Sequence, residues 1–140
     1  MAIRFDGLEK VLDRFDGMTD EYVIQEGLER ACLRVEREAR KKAPKKSGEL
    51  RRQMAHRVEG LTGTVFNPLW YAPYVEWGTG IYSEHPQGGR KDVPWGYIDE
   101  KTGELVFTYG QRPKPYLRPT LEELTEQIKQ DILREVFRRR

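Results

Sequence analysis

The residues that could do chemistry are few, and their spacing speaks against most of it. His56 and His85 are the only histidines. A nucleophilic site needs a Ser, Cys or Thr beside a base that a third group orients. Neither histidine has such neighbours in sequence, and both read as surface or half-buried side chains. Glu76 and Asp99 could pair as acid and base, but any small domain offers two such carboxylates. Trp77-Gly78-Thr79-Gly80 carries two glycines of a phosphate-cradling loop. It lacks the third glycine and the helix N-terminus that would receive the phosphate. No HxxxH, HExxH or Asp/Asn-rich Ca²⁺ loop occurs. The single cysteine, Cys32, can form neither an internal disulfide nor a CxxC metal site. It reads as a small apolar residue on a helix face. These residues imply no enzyme, no cofactor and no metal.

A different stretch stands out, Asn67-Pro68-Leu69-Trp70-Tyr71-Ala72-Pro73-Tyr74-Val75-Glu76-Trp77-Gly78-Thr79-Gly80. Four of the ten Trp and Tyr residues fall within eight positions, Trp70 to Trp77. Proline fixes φ and pushes the preceding residue toward extended backbone, and glycine ends the run in a turn. The expectation is a stiff, extended, aromatic-lined segment. Aromatics bury large area at low entropy cost, so such a surface suits protein contact; the alternative is a core strand with one wet edge.

The elements that must position it follow from patterning. The chain has 140 residues, 37% hydrophobic and 34% charged, which predicts one soluble domain with a modest core. No apolar run approaches the roughly 18 residues of a membrane span, and the N-terminus lacks a signal-peptide pattern, so cytoplasmic synthesis is expected. Net charge is only +2, but its distribution is uneven. Met1 to Arg30 holds eight acids and four bases, Arg34 to Arg52 nine bases and three acids, and Arg138 to Arg140 ends the chain. Such opposed ends can steer head-to-tail association of copies. The basic segment Arg34–Arg52 alternatively suits sequence-independent DNA binding, though Glu36 and Glu38 interrupt it.

Ile3 to Phe5 alternate as a short edge strand. Leu8, Val11, Leu12 and Phe15 then fall at helical spacing, with Gly17 closing. Thr19 or Asp20 caps a long helix with the stripe Ile24, Leu28, Ala31, Val35 and Ala39, ended near Ala43 by Pro44. Regular structure resumes at about Leu50, and strands are expected at Arg52–Val58 and Gly63–Asn67. Ile81 to Val93 reads as a mobile, exposed loop. Pro94–Asp99 and Glu104–Tyr109 read as a projecting β-hairpin with Gly103 at its turn. The last helix starts near Pro119 and carries Leu121, Leu124, Ile128, Ile132 and Val136, with Leu133 and Phe137 widening the stripe. The fold class is α+β, two long amphipathic helices covering one face of an antiparallel sheet of about four strands.

Three segments together carry a family likeness: Leu28 to Pro44 followed by Ser47-Gly48-Glu49-Leu50-Arg51; Tyr71-Ala72-Pro73-Tyr74-Val75-Glu76-Trp77-Gly78-Thr79-Gly80; and Pro113-Lys114-Pro115-Tyr116-Leu117-Arg118-Pro119-Thr120-Leu121. In this order the chain resembles the tail-completion, or head–tail connector, family of long-tailed bacteriophages and prophages. Its pattern is a helix, APVDTG-L-R, YAPYVEFGT, a variable loop, P-RPFLRPAL and a final helix. Lys45-Lys46-Ser47 replaces Val-Asp-Thr, Trp77 and Tyr116 replace Phe, and the insert from Ile81 to Gly110 is long. The resemblance implies a virion protein of the neck, without catalysis, between the portal–adaptor end of the head and the tail tube. It implies a ring of six copies around the DNA path, monomeric when isolated, touching adaptor or stopper, tail terminator or tail tube, and no membrane. Within it, Trp70, Tyr71, Tyr74, Trp77, Trp95, Tyr97, Pro113, Pro115, Tyr116 and Arg118 are expected at protein interfaces. Arg37, Lys41, Lys42, Lys45, Lys46 and Arg51 are expected along a DNA channel, without sequence-specific contact, or at subunit contacts.

Overall fold

The apolar stripe of the first long helix is the spine of the core. The computed structural model describes residues 2–5, 21–45 and 48–138. The expected short helix from Leu8 to Phe15, the cap at Thr19 or Asp20, Lys46, Ser47, Arg139 and Arg140 lie outside them. Helix α1 (Glu21–Lys42) buries Ile24, Leu28, Ala31, Cys32, Val35 and Ala39 completely. Each large apolar side chain so covered contributes about 1.5–3 kcal/mol. Ala43 N–H still bonds the Ala39 carbonyl at 2.9 Å, after which Pro44 stops the helix.

One face of α1 lies on a three-stranded antiparallel sheet of order β1-β3-β2, formed by β1 (Ala2–Phe5), β2 (Ala55–Glu59) and β3 (Thr62–Phe66). The first strand is an edge strand, as its alternation predicts. The β2–β3 hairpin turns at Gly60, and central Val65 pairs with Ile3 on one side and His56 on the other. Where a strand was expected from Arg52, a single helical turn, α2 (Glu49–Arg52), comes first. It buries Leu50, whose carbonyl accepts from Asn67 Nδ2 at 2.9 Å.

The last helix does not lie on the sheet as expected. Helix α4 (Arg118–Arg138) packs along α1. Gly27 permits the approach, since a Cβ there would stand 2.9 Å from Ile132 Cα. Among the described residues α1 is the helix beside α4, and the apolar side chains of α4 that are buried are Ile128, Ile132 and Val136. Leu133 and Phe137, expected to widen the stripe, are exposed. Asp131 and Glu135 are buried in their stead, because each meets an arginine of α1. These pairs form an antiparallel ladder: Arg30 Nη1 to Glu135 Oε1 at 2.8 Å, Arg34 Nε to Asp131 Oδ2 at 2.6 Å, then Lys42 with Glu123. Positions 30, 34 and 42 forward on α1 match 135, 131 and 123 back on α4.

The chain divides into two compact units, Met1–Leu69 with Tyr116–Arg140, and Trp70–Pro115. The second unit holds α3 (Ala72–Trp77), a 3₁₀ turn (Gly80–Tyr82), and a separate two-stranded antiparallel ribbon of β4 (Trp95–Ile98) and β5 (Leu105–Thr108). The expected sheet of about four strands is therefore a sheet of three and a ribbon of two. Alternation marks a strand but not its partner, so it overcounted the sheet by about one strand, while the hairpin expected at Pro94–Tyr109 is a ribbon of its own.

A candidate protein-docking site

The aromatic stretch is helical where it was expected to be extended. Tyr71 is the N-cap of α3 and Pro73 lies in its first turn, where a missing N–H costs nothing and the fixed φ favours the helix. This first-turn role outweighed the extended preference that proline imposes on its predecessor. Trp70, just before the N-cap, and Tyr74 and Trp77 of the helix all line one side, while Ala72 and Glu76 are buried.

Gly78 and Gly80 then bring two strands of chain together. Thr79 N–H bonds the Gln111 carbonyl at 2.9 Å and Ile81 N–H the Tyr109 carbonyl at 3.0 Å. A Cβ on Gly80, whose φ is +60°, would fall 1.9 Å from the Tyr109 oxygen. The glycines serve this close backbone packing; no phosphate loop is involved. Lys114 N–H bonds the Val75 carbonyl at 2.8 Å, so the Pro113–Pro115 segment is fastened to α3.

Between α3 and the 81–95 segment runs a cleft of about 630 Å³. All three tryptophans of the chain, Trp70, Trp77 and Trp95, line it with Tyr74, His85 and Arg90. Trp70 meets Tyr74 edge to face at 6.3 Å, Trp77 meets His85 at 5.3 Å, and Arg90 lies 5.1 Å over the Trp95 ring. Trp70 is 79% exposed. An open cleft with aromatic walls and one cation suits a peptide or protein surface, because large rings supply contact area at small entropy cost.

Of the residues expected at interfaces, Trp70, Tyr71, Tyr74, Trp77 and Trp95 converge here or beside it, and Tyr97 is exposed on β4. Pro115 is exposed and Pro113 half-buried against Gly78. Arg118 is half-buried at the start of α4. Tyr116 is fully buried and presents no surface.

Five basic side chains of the Arg34–Arg52 segment are ion-paired within the fold, Arg34 with Asp131 among them. Lys41 pairs with Glu38 at 2.7 Å, Lys42 with Glu123, Arg40 with Glu36 at 2.5 Å and Arg52 with Glu49 at 2.5 Å. Arg51 caps the end of α1, donating to the Ala43 carbonyl at 3.2 Å and the Lys41 carbonyl at 3.1 Å. Arg37 and Lys45 remain exposed. Arg37 lines a second cavity of about 330 Å³ with Arg30, Arg34 and Arg134.

Patterning missed the surroundings of His56. From β2 it reaches α1, with Nδ1 on Glu36 and Nε2 on Glu29 Oε1 at 2.6 Å. Arg40 completes the group, donating also to the Met54 carbonyl at 2.8 Å. Burial pulls the His56 pKa down, but the hydrogen bonds and charges of the two carboxylates outweigh it and hold it above its usual value. Both ring nitrogens are occupied, which leaves neither for a substrate. Glu29 and Glu36 lie seven residues apart, two turns on one helical face, and that spacing opposite a strand histidine was the available signal. Among the described residues, no group of three or more His, Cys, Asp or Glu side chains could hold a metal ion, and no helix is long and apolar enough to cross a membrane.

Residues 6–78 match the model of the HK97-gp10-like family, described as "Bacteriophage HK97-gp10, putative tail-component". No curated protein and no solved structure matches the chain. The matched span is just over half of the chain and includes α1, the three-stranded sheet's hairpin and α3, with the tyrosines and tryptophans of the cleft's first wall. The chain belongs to the HK97-gp10-like family of bacteriophage proteins.

Proposed function

We propose that this protein is a structural subunit of the phage virion. It stands in the neck and joins the portal–adaptor end of the head to the tail through a ring of copies around the DNA path. Its work is the fitting of protein surfaces, with no bond made or broken. The observation that carries this reading is the Trp70–Tyr74–Trp77–Trp95 cleft, found in a chain of a tail-component family. Rigid aromatic anchors in an open cleft are what a docking interface uses for most of its binding energy. The whole chain acts as one connector domain, with the 81–110 segment as the arm that meets a neighbour.

The ladder of α1 against α4 supports the same reading, because it makes the first unit a stiff body. It also argues against the DNA-binding alternative. A chain that used Arg34–Arg52 for phosphates would have to give up the internal partners of Arg34, Arg40, Lys41 and Lys42. Immunogold labelling of purified particles tests the placement. Label at the head–tail junction supports it, and label confined to the tail tip or absent from particles refutes it.

A further inference from the structure

Two exposed features of the second unit are chemically complementary. The first is the cleft, whose described lining holds the cation Arg90, three tryptophans and no carboxylate. Arg90 donates from Nε to the Asp92 carbonyl at 3.1 Å, and its Nη2 stands 3.8 Å from Asp92 Oδ2, too far for a hydrogen bond. The second is the end of the β4–β5 ribbon. Its turn, Asp99-Glu100-Lys101-Thr102-Gly103-Glu104, has three carboxylates to one ammonium. Ile98 and Leu105 sit directly opposite each other and are each 60% exposed, and Phe107 is 64% exposed. An isolated two-stranded ribbon is at best marginally stable in water, and clustered exposed apolar side chains mark a contact surface. None of the cleft's described lining comes from residues 96–108, so the tip does not occupy the cleft of its own chain.

We propose that the ribbon tip of one copy seats in the aromatic cleft of the next. Glu100 and Glu104 approach Arg90, while Ile98, Leu105 and Phe107 pack on Trp70 and Tyr74. A second copy is the occupant that matches both properties of the cleft, since the same chain supplies an acidic tip with an apolar flank. Knob and socket are different patches, so the contact is heterologous and repeats head to tail. It closes into a ring when the rotation per copy permits. The inference rests on the connector reading for its setting, and it names the contact between ring members.

Disulfide cross-linking tests it, because the native thiol, Cys32, is buried. The full chain carries Glu100→Cys and Gln87→Cys, one exposed on the tip and one lining the cleft. Oxidation of the purified protein, or of particles assembled with it, is expected to give a ladder of linked copies. Arg90→Glu in the same chain lowers the yield at least about tenfold, and adding Glu104→Lys restores it. A control pairing Glu100→Cys with Lys129→Cys gives no ladder. The proposal is overturned by the absence of a ladder in both samples, by one insensitive to Arg90→Glu, by one equal to the control, or by linkage to another virion protein instead. Particles that join heads to tails without any 87–100 linkage would refute this contact and leave the connector reading standing. Particles that do not need the protein would refute that reading itself.

Discussion

Arg34 holds Asp131 across the helix pair with two parallel contacts, Nε to Oδ2 at 2.6 Å and Nη2 to Oδ1 at 3.1 Å. Burial alone would push the Asp131 pKa up. The hydrogen bonds of Arg34 and Gln127, with the charges of Arg34 and Arg134, hold it below its usual value. A depressed carboxylate contributes stability that is present above the unfolded pKa of about 3.9 and lost as pH falls through the folded one. Arg34→Ala therefore leaves a buried carboxylate without its main partner and costs about 1–3 kcal/mol at pH 7. Urea unfolding at pH 7 measures the loss, and its repetition toward pH 3 shows the gap between variant and wild type closing.

Gly27 sets the distance between α1 and α4. Alanine is the better helix former by about 1 kcal/mol, so an exposed site would gain from Gly27→Ala. Here the added methyl meets the Ile132 backbone at 2.9 Å, and overpacking of that kind costs about 1–3 kcal/mol. The expected result is a lower thermal midpoint. A midpoint raised by the substitution would show that the helices are not in contact at this level.

His56 makes stability depend on pH near neutrality. Its folded pKa lies above the ordinary value, so its contribution is complete below the unfolded pKa of about 6.5 and fades as pH rises through the folded one. Denaturant midpoints at pH 6 and pH 9 are expected to differ in the wild type, with pH 6 the more stable. In His56→Ala that difference shrinks.

Cys32 is sealed within the core. Burial first, and then the charges of Glu29 and Glu36, push its thiol pKa up to about 12. A thiol-specific reagent at pH 8 is expected to modify the native protein at no faster rate than it unfolds. The same reagent in denaturant should modify it at once.

Periodicity was a good guide wherever burial is one-sided. The stripe from Ile24 to Ala39 and the turn at Gly103 stand where spacing put them. It failed where a neighbour, and not the local pattern, decides. Leu133 and Phe137 have the right spacing for a core, but the face of α4 that meets α1 carries Asp131 and Glu135, which are buried against their arginines. Proline in the aromatic stretch allowed both an extended strand and a helical first turn, and burial of Ala72 and Glu76 favours the turn. The site was half legible. Aromatic density marked α3, and Trp95 was among the expected contact residues, but its neighbours in the closing wall, His85 and Arg90, were not.

The most direct measurement of the central claim is particle assembly by phage whose copy of the gene is interrupted, complemented with wild-type protein or with Trp70→Ala/Tyr74→Ala. These side chains lie on the exposed wall of the cleft, so their removal leaves the fold intact. The account predicts filled heads and separate tails without complementation, joined infectious particles with the wild type, and at least about a hundredfold fewer with the double variant, as loss of two aromatic anchors implies. Normal numbers of infectious particles in the uncomplemented infection would contradict it.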